Sequence, residues 1–321
     1  MKTKHIFLSA LLLVAGCESY MDYPGQEEEG KLYLECFPRT GADSTILTVF
    51  GTYPVNYPEK CASLDNVVAE LSVNSTPVEW ASCQRVGGGL RLAAPTDLSA
   101  GDEVGLVLQG ADGKYIQCFS KVSEGPSFSV SRELTSHWVD RYHISLNTNT
   151  SETGKCYYGI SLSAMGHNAI KQSDGSTVVE IVPYDELRYE LKDADASSSL
   201  AGQVEGRFFP VVAAGREMIV FEVEATDVSP FEMVLDTPNI GYHYVWARPE
   251  VVALQSVYYR LDVFQLSPSA YRFLNPREDM ALIGAGLVPP TSVRGNIKGA
   301  FGMFECLGRS STEWLPGLGL D

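Results

Sequence analysis

Residues 31–37 read Lys-Leu-Tyr-Leu-Glu-Cys-Phe, an alternation that places Leu32, Leu34 and Cys36 on one side of an extended chain. Successive side chains of a β-strand point to opposite faces, so this period of two predicts a strand with one face buried in a core. Similar short runs follow at 45–50, 66–73, 78–83, 89–93, 103–109 and 115–122.

Turn-forming residues separate these runs, and Asp112-Gly113 between two of them predicts a β-hairpin. About seven short strands within roughly 95 residues are typical of an immunoglobulin-like sandwich, which we predict over residues 31–125. The Cys…Trp…Cys pattern of antibody domains does not occur, so the expected likeness is one of architecture alone.

Gly125-Pro126 predicts a domain boundary. Beyond it we expect a larger β-rich domain over 126–321, whose longest strand is the β-branched and aromatic run at 252–265. One short helix is predicted near its end, because Ser267 can cap a helix and Pro268 suits the first helical position. The fold class is therefore mainly β. The predicted strands of this domain lie at 128–134, 141–148, 156–164, 177–182, 218–223, 241–248 and 252–265.

The N-terminus has the three parts of a secretory signal: Lys2 and Lys4, an apolar run, and small residues before Cys17. Leu13-Val14-Ala15-Gly16-Cys17 resembles a bacterial lipobox. We therefore predict a signal peptide at 1–16 and a lipid anchor on Cys17, although an ordinary signal with an incidental cysteine is the alternative. Acidic residues 17–30 suggest a flexible tether, either a solvated linker or a surface-export signal.

The chain has a formal net charge of −16, which becomes −18 when the lysines of the signal peptide leave with it. Such a chain repels polyanions, so composition argues against nucleic-acid binding. Six cysteines remain beside Cys17. In an oxidising compartment they allow disulfides in 15 full pairings, and buried free thiols are the alternative. These cysteines are Cys36, Cys61, Cys83, Cys118, Cys156 and Cys306.

A family resemblance rests on the order of several features: the lipobox, the acidic tether, the β-rich N-terminal domain, a late Ser-Pro-x-x-Tyr-x-x-Leu helix and a closing glycine-rich segment. Together they resemble the Bacteroidota lipoproteins of "domain of unknown function 4249", over about residues 30–310. The resemblance implies an outer-membrane lipoprotein, often encoded beside a TonB-dependent receptor, with no catalytic set to transfer. The sharpest matches are Asn296, Ile297, Gly299, Gly302 and Phe304, for which we expect structural roles.

Motifs for catalysis are lacking in the sequence. It contains no H-E-x-x-H, no G-x-S-x-G and no phosphate-binding loop, and the spacing of His137 and His143 fits no usual metal site. We therefore expect no enzyme activity, no cofactor and no metal. The alternative is a hydrolase whose catalytic residues match none of these motifs.

Aromatic residues concentrate in two strand candidates, where Tyr242, Tyr244 and Trp246 share one face and Tyr258 and Tyr259 follow. If exposed, the first three would form a platform for stacking on a glycan or a partner; if buried, they belong to the core. Two functional hypotheses follow. The first is a non-enzymatic accessory of a TonB-dependent receptor in nutrient uptake, and the second is a glycan- or ligand-binding surface lipoprotein.

Overall fold

The computed structural model describes residues 30–53, 58–136, 139–148, 154–184, 189–193, 209–213, 216–224, 230–238, 251–275 and 295–317. Within them the protein is mainly β with one short α-helix, which confirms the predicted fold class. No described helix is long and apolar enough to cross a membrane.

Two sheets form the N-terminal half. The first has the strand order β1-β2-β6-β5, the second has the order β4-β3-β7-β8, and both turn apolar faces into one shared core. The immunoglobulin-like class of this arrangement remains a prediction. The strands are β1 (Leu32–Cys36), β2 (Ser44–Gly51), β3 (Val68–Val73), β4 (Thr76–Val78), β5 (Ser82–Val86), β6 (Gly89–Pro95), β7 (Glu103–Gln109) and β8 (Tyr115–Lys121), with a 3₁₀ turn at Pro58–Lys60.

The alternation that predicts β1 is visible in its burial. Leu32, Leu34 and Cys36 are buried, whereas Tyr33 and Glu35 between them are partly exposed. β1 pairs antiparallel with β2, whose Leu47 and Val49 are fully buried in the same core. Burying one apolar face of each strand is what holds the two sheets together.

The second half also contains two sheets, with the orders β13-β16-β10-β9 and β14-β15-β11-β17, and β12 pairs with β11. Inward side chains of both sheets build a second core around Tyr158, Phe221 and Tyr259. The strands are β9 (Phe128–Ser136), β10 (Val139–Leu146), β11 (Lys155–Lys171), β12 (Thr177–Tyr184), β13 (Glu190–Asp193), β14 (Phe209–Ala213), β15 (Arg216–Glu224), β16 (Phe231–Pro238) and β17 (Val251–Leu266).

The predicted helix is present as α1 (Pro268–Leu274). The Ser267 hydroxyl accepts a hydrogen bond from the backbone N–H of Ala270 at 3.1 Å, and Pro268 occupies the first turn, as the sequence predicts. Ser267 also donates to the Glu305 carboxylate, with 2.6 Å between the oxygens. The helix thus begins at a residue that the C-terminal segment holds in place.

The C-terminal segment passes from one half of the molecule to the other. Its strands are β18 (Phe301–Phe304), β19 (Gly308–Ser311) and β20 (Leu315–Pro316). β18 pairs in parallel with β1 of the first sheet, whereas β19 and β20 pair antiparallel with β17. The division predicted at residue 125 did not include a C-terminal segment that pairs with sheets of both halves. Alternation within a strand does not identify the strand beside it.

Asn296 explains part of the family motif. Its side-chain amide donates to the backbone carbonyl of Phe304 at 2.7 Å, and its oxygen accepts from the Phe304 N–H at 3.0 Å. Ile297 and Phe304 are buried in the N-terminal core. The structural role expected for these residues is confirmed: they close the turn that brings β18 alongside β1.

Gly302 lies where the backbones of β18 and β1 are in close contact. Its φ is +106°, and a Cβ there would overlap the backbone of Leu34. Gly299 has a similar φ of +92° but open space around it. A side chain at either position would therefore strain the backbone, but only at position 302 would it also clash with the neighbouring strand.

We expect Gly302→Ala to destabilise the protein by at least about 3 kcal/mol, because strain and displacement of β18 add together. Gly299→Ala, the matched control, should cost about 1 kcal/mol through strain alone. Urea unfolding followed by tryptophan fluorescence gives both free energies of unfolding. Equal losses for the two variants would show that β18 does not depend on close backbone contact with β1.

Candidate functional site

The residues predicted to carry function fall mostly beyond the described parts of the chain. Cys17, Tyr242, Tyr244 and Trp246 all lie outside the described residues. Their roles as lipid attachment site and ligand platform therefore stay predictions.

Tyr258 and Tyr259 lie within the described residues and have different environments. Tyr259 is fully buried, and its ring meets that of Tyr142 edge-on with 5.9 Å between centroids. Tyr258 is half-buried, with its ring centroid 5.2 Å from the His167 imidazole. Tyr259 thus belongs to the core, and Tyr258 belongs to the opposite face of β17, together with His167 of β11.

The long strand β11 has two structurally distinct parts. From Lys155 to Ile160 it pairs with β15, and the buried Tyr158 and Ile160 face the core. From Ala164 onward β15 no longer pairs with it, and β12 takes that position as far as Lys171. β17 accompanies β11 along both parts. The outer part and β12 form a hairpin, residues 164–184, at the end of the larger sheet.

The turn of this hairpin is well defined. The N–H of Gln172 donates to the carbonyl of Ser176 at 2.8 Å, and the N–H of Gly175 donates to the carbonyl of Gln172 at 3.0 Å. Gly175 has a φ of +85°, which a glycine adopts at little cost. Hydrogen bonds from the side chain and backbone of Ser176 lower the pKa of Asp174. These bonds set the register of β12 against β11.

β12, predicted from the sequence as a strand at 177–182, exposes apolar side chains that a core-facing strand would bury. The exposed fractions are 45% for Val178, 48% for Val179 and 62% for Ile181. Val178 and Val179 point to opposite faces of the sheet, so β12 is exposed on both sides. The sequence predicts a strand at 177–182, but nothing local indicates whether a second layer covers it.

Charged pairs cover the outer face of the smaller sheet. Arg141 binds Asp236 through two hydrogen bonds of 2.7 and 2.9 Å, and this contact raises the pKa of Arg141. Nε2 of His143 lies 2.8 Å from the Glu133 carboxylate. Such cross-strand pairs support a sheet.

Among the described residues, no group of three or more His, Cys, Asp or Glu is arranged to hold a metal ion.

A cleft with a volume of about 1070 Å³ opens at the edge of the N-terminal sheets, beside Gly30. Its rim carries Lys31, Lys60 and Lys114, and Lys114 forms a 2.9 Å ion pair with Asp112. Lys31 also lies over the Phe301 ring, 5.3 Å from its centroid. Asp112 belongs to the same lining, so lysine and carboxylate side chains both face this cleft.

The β-rich fold and the closing motif around Asn296 agree with one family model, "Domain of unknown function (DUF4249)", which matches residues 18–313. The chain belongs to the DUF4249 family. No curated protein matches this DUF4249 chain.

Two solved structures show a distant likeness to the DUF4249 chain. One is the adhesin InvE of Yersinia pseudotuberculosis, with 8% identity over 73% of this chain and a TM-score of 0.20. The other is described as a membrane-anchored protein of Corynebacterium diphtheriae, with 13% identity over 74% of this chain and a TM-score of 0.19. The DUF4249 chain spans 55% of the length of each. Scores this low carry no argument about fold or function.

The cysteines of the DUF4249 protein correct the expectation of disulfides. All six described cysteines are free thiols: Cys61 and Cys83 are exposed, and the other four are buried. An even count predicted pairing, but the buried thiols instead serve as small apolar side chains of two separate cores. Burial raises the pKa of Cys118 to about 11 and that of Cys306 to about 12.

We expect two thiols of a soluble form starting at Glu18 to react rapidly with a thiol reagent at pH 8, and all six to react in denaturant. The thiolate is the reacting species, and raised pKa values together with burial protect Cys118 and Cys306. Mass spectrometry of the labelled peptides identifies the reactive sites. Fewer than six reactive thiols in denaturant without reductant would reveal a disulfide.

Proposed function

We propose that this DUF4249 protein is a non-enzymatic outer-membrane lipoprotein that serves as the accessory of a TonB-dependent receptor in nutrient uptake. The observation that carries the proposal is the hairpin of β11 and β12, whose exposed Val178, Val179 and Ile181 belong to none of the three described hydrophobic clusters. Exposed apolar clusters on folded proteins often mark interaction sites. A protein with complementary apolar side chains is the simplest partner for such a surface.

The predicted anchor supports the same proposal. Twelve residues lie between Cys17 and Gly30, so the two Cα atoms can be at most about 45 Å apart. A lipid on Cys17 would therefore keep the folded part within reach of integral proteins of the same membrane. The resemblance to Bacteroidota lipoproteins points to a TonB-dependent receptor among them.

The glycan-binding alternative depends on Tyr242, Tyr244 and Trp246, which lie outside the described residues. Glycan-array screening of the ectodomain and of Trp246→Ala would test it separately.

Cys17→Ala should abolish lipid attachment. Cells fed an alkyne-labelled fatty acid should label the wild-type protein and leave the variant unlabelled, because the thiol is the only attachment point in the lipobox. Cys61→Ala is the matched control, since Cys61 is also an exposed thiol and should not affect labelling. Label that persists in Cys17→Ala would place the lipid elsewhere.

Crosslinking of the lipidated protein in native outer membranes, followed by affinity capture and mass spectrometry, tests the partner. We expect a TonB-dependent receptor to be the dominant crosslinked protein. Capture of the lipoprotein without any receptor would contradict the accessory role and would favour a free-standing binder.

A further inference from the structure

We infer that the partner binds the hairpin by adding an extended strand to the outer edge of β12. This inference rests on the proposed function and specifies its contact. In strand addition, main-chain hydrogen bonds supply affinity and alternating side chains supply specificity.

The backbone of β12 is oriented for this mode. The hydrogen bond from Gln172 to Ser176 sets the phase of the ladder, so Val178 and Glu180 turn their N–H and C=O groups toward β11. The same phase turns the backbone groups of Thr177, Val179 and Ile181 away from β11. In the part of the chain that the structure describes, β12 pairs with β11 alone.

Pro183 limits the length of the open edge. It follows Ile181 in the same outward phase but has no N–H to donate. An added strand can thus form a complete ladder over residues 177–181 and loses its donor at 183. Proline at such a position is a common way to end an edge.

The two faces of β12 define the side chains that the partner must carry. Val179 and Ile181 share a face with His167 and Tyr258, and all four are at least partly exposed. The other face presents Val178 and the exposed Glu180. The complementary strand therefore has β-branched or aromatic residues on one face and a lysine or arginine beside Glu180 on the other.

A second edge provides a comparison. β8 lies at the end of its sheet and exposes Tyr115 and Phe119, each 65% accessible. Its other face is buried through Ile116 and Cys118, so that strand contributes to the core. The apolar residues of β12 have no such packing role in the described structure, which makes β12 the better docking strand.

Charge and area favour a different protein over a second copy. Two copies paired through β12 would bring their Glu180 side chains close together, and each mature chain carries a formal charge of −18. A five-residue edge also buries far less than the ~1,200 Å² of a stable dimer. A partner in the same membrane benefits from a high effective concentration, so a small interface suffices.

The experiment uses the full lipidated protein in its native outer membrane, with a photo-crosslinking amino acid in place of Thr177. Val179→Pro removes one outward N–H and leaves the bonds between β11 and β12 intact. Gln117→Pro is the matched control, because Gln117 has the same outward phase on the edge of β8. Circular dichroism and thermal unfolding confirm that both variants fold.

We expect Val179→Pro to reduce crosslinking to the receptor about tenfold, and Gln117→Pro to leave it unchanged. Glu180→Lys should also reduce it, by repelling the basic residue of the partner. The crosslinked receptor peptide should be an extended segment with alternating apolar residues and at least one lysine or arginine.

Other outcomes separate the two proposals. If the receptor is captured equally by wild-type and Val179→Pro, the accessory role stands and strand addition at β12 is wrong. Loss of capture in Gln117→Pro alone would move the contact to β8. Crosslinks from position 177 to a second copy would overturn the inference in favour of self-association, and absence of any receptor would contradict the proposed function itself.

Discussion

Residues 301–311 connect the two halves of the molecule through backbone hydrogen bonds, because one continuous segment supplies a strand to a sheet in each half. β18 pairs with β1, and after three intervening residues β19 pairs with β17. Between them, the N–H of Cys306 donates to the Ser120 hydroxyl at 2.9 Å and the N–H of Leu307 donates to the Pro38 carbonyl at 2.8 Å. Neither half is complete without this segment, so contacts between the first and last parts of the chain must form before either core is fully covered. Pairing across such sequence separation is entropically costly and slows folding.

The side chain of Arg309 contacts both halves of the molecule. Its guanidinium donates to the carbonyl of Gly41 in the N-terminal half and lies 3.5 Å from the carboxylate of Asp262, which is fully buried in β17. The Ser311 hydroxyl donates to the same carboxylate at 2.6 Å. A buried carboxylate without such partners would be strongly destabilising, and Arg309 and Ser311, together with Arg260 at 3.5 Å, offset the cost of burying Asp262. Because β17 also runs beside the whole of β11, this junction fixes one side of the sheet from which the hairpin of β11 and β12 extends.

The hairpin of β11 and β12 and the junction at Asp262 differ in how many strands pair with them. β17 at Asp262 pairs on both edges and is covered by a core, whereas β12, within the described ranges, pairs with β11 alone and is exposed on both faces. Surfaces that bind partners are commonly drawn from such lightly packed regions, since few internal contacts compete with the partner. The apolar residues of β12 would be an aggregation hazard if nothing covered them, and an edge proline at position 183 restricts that hazard. This contrast is the physical basis for placing a partner at β12.

Local sequence determined the elements that depend on near neighbours. Alternation predicted β1, and Ser267 with Pro268 predicted the start of α1, because side-chain phase and helix caps are properties of a few consecutive residues. The likeness of residues 13–17 to a lipobox and the acidic composition are likewise readable without a fold. Only the tertiary structure decided that β18 joins β1, that Tyr259 is buried while Tyr258 is not, that the cysteines are free, and that Val178, Val179 and Ile181 are exposed. Each of these depends on which distant segment lies against a strand, and a period of two residues specifies a face without specifying what covers it.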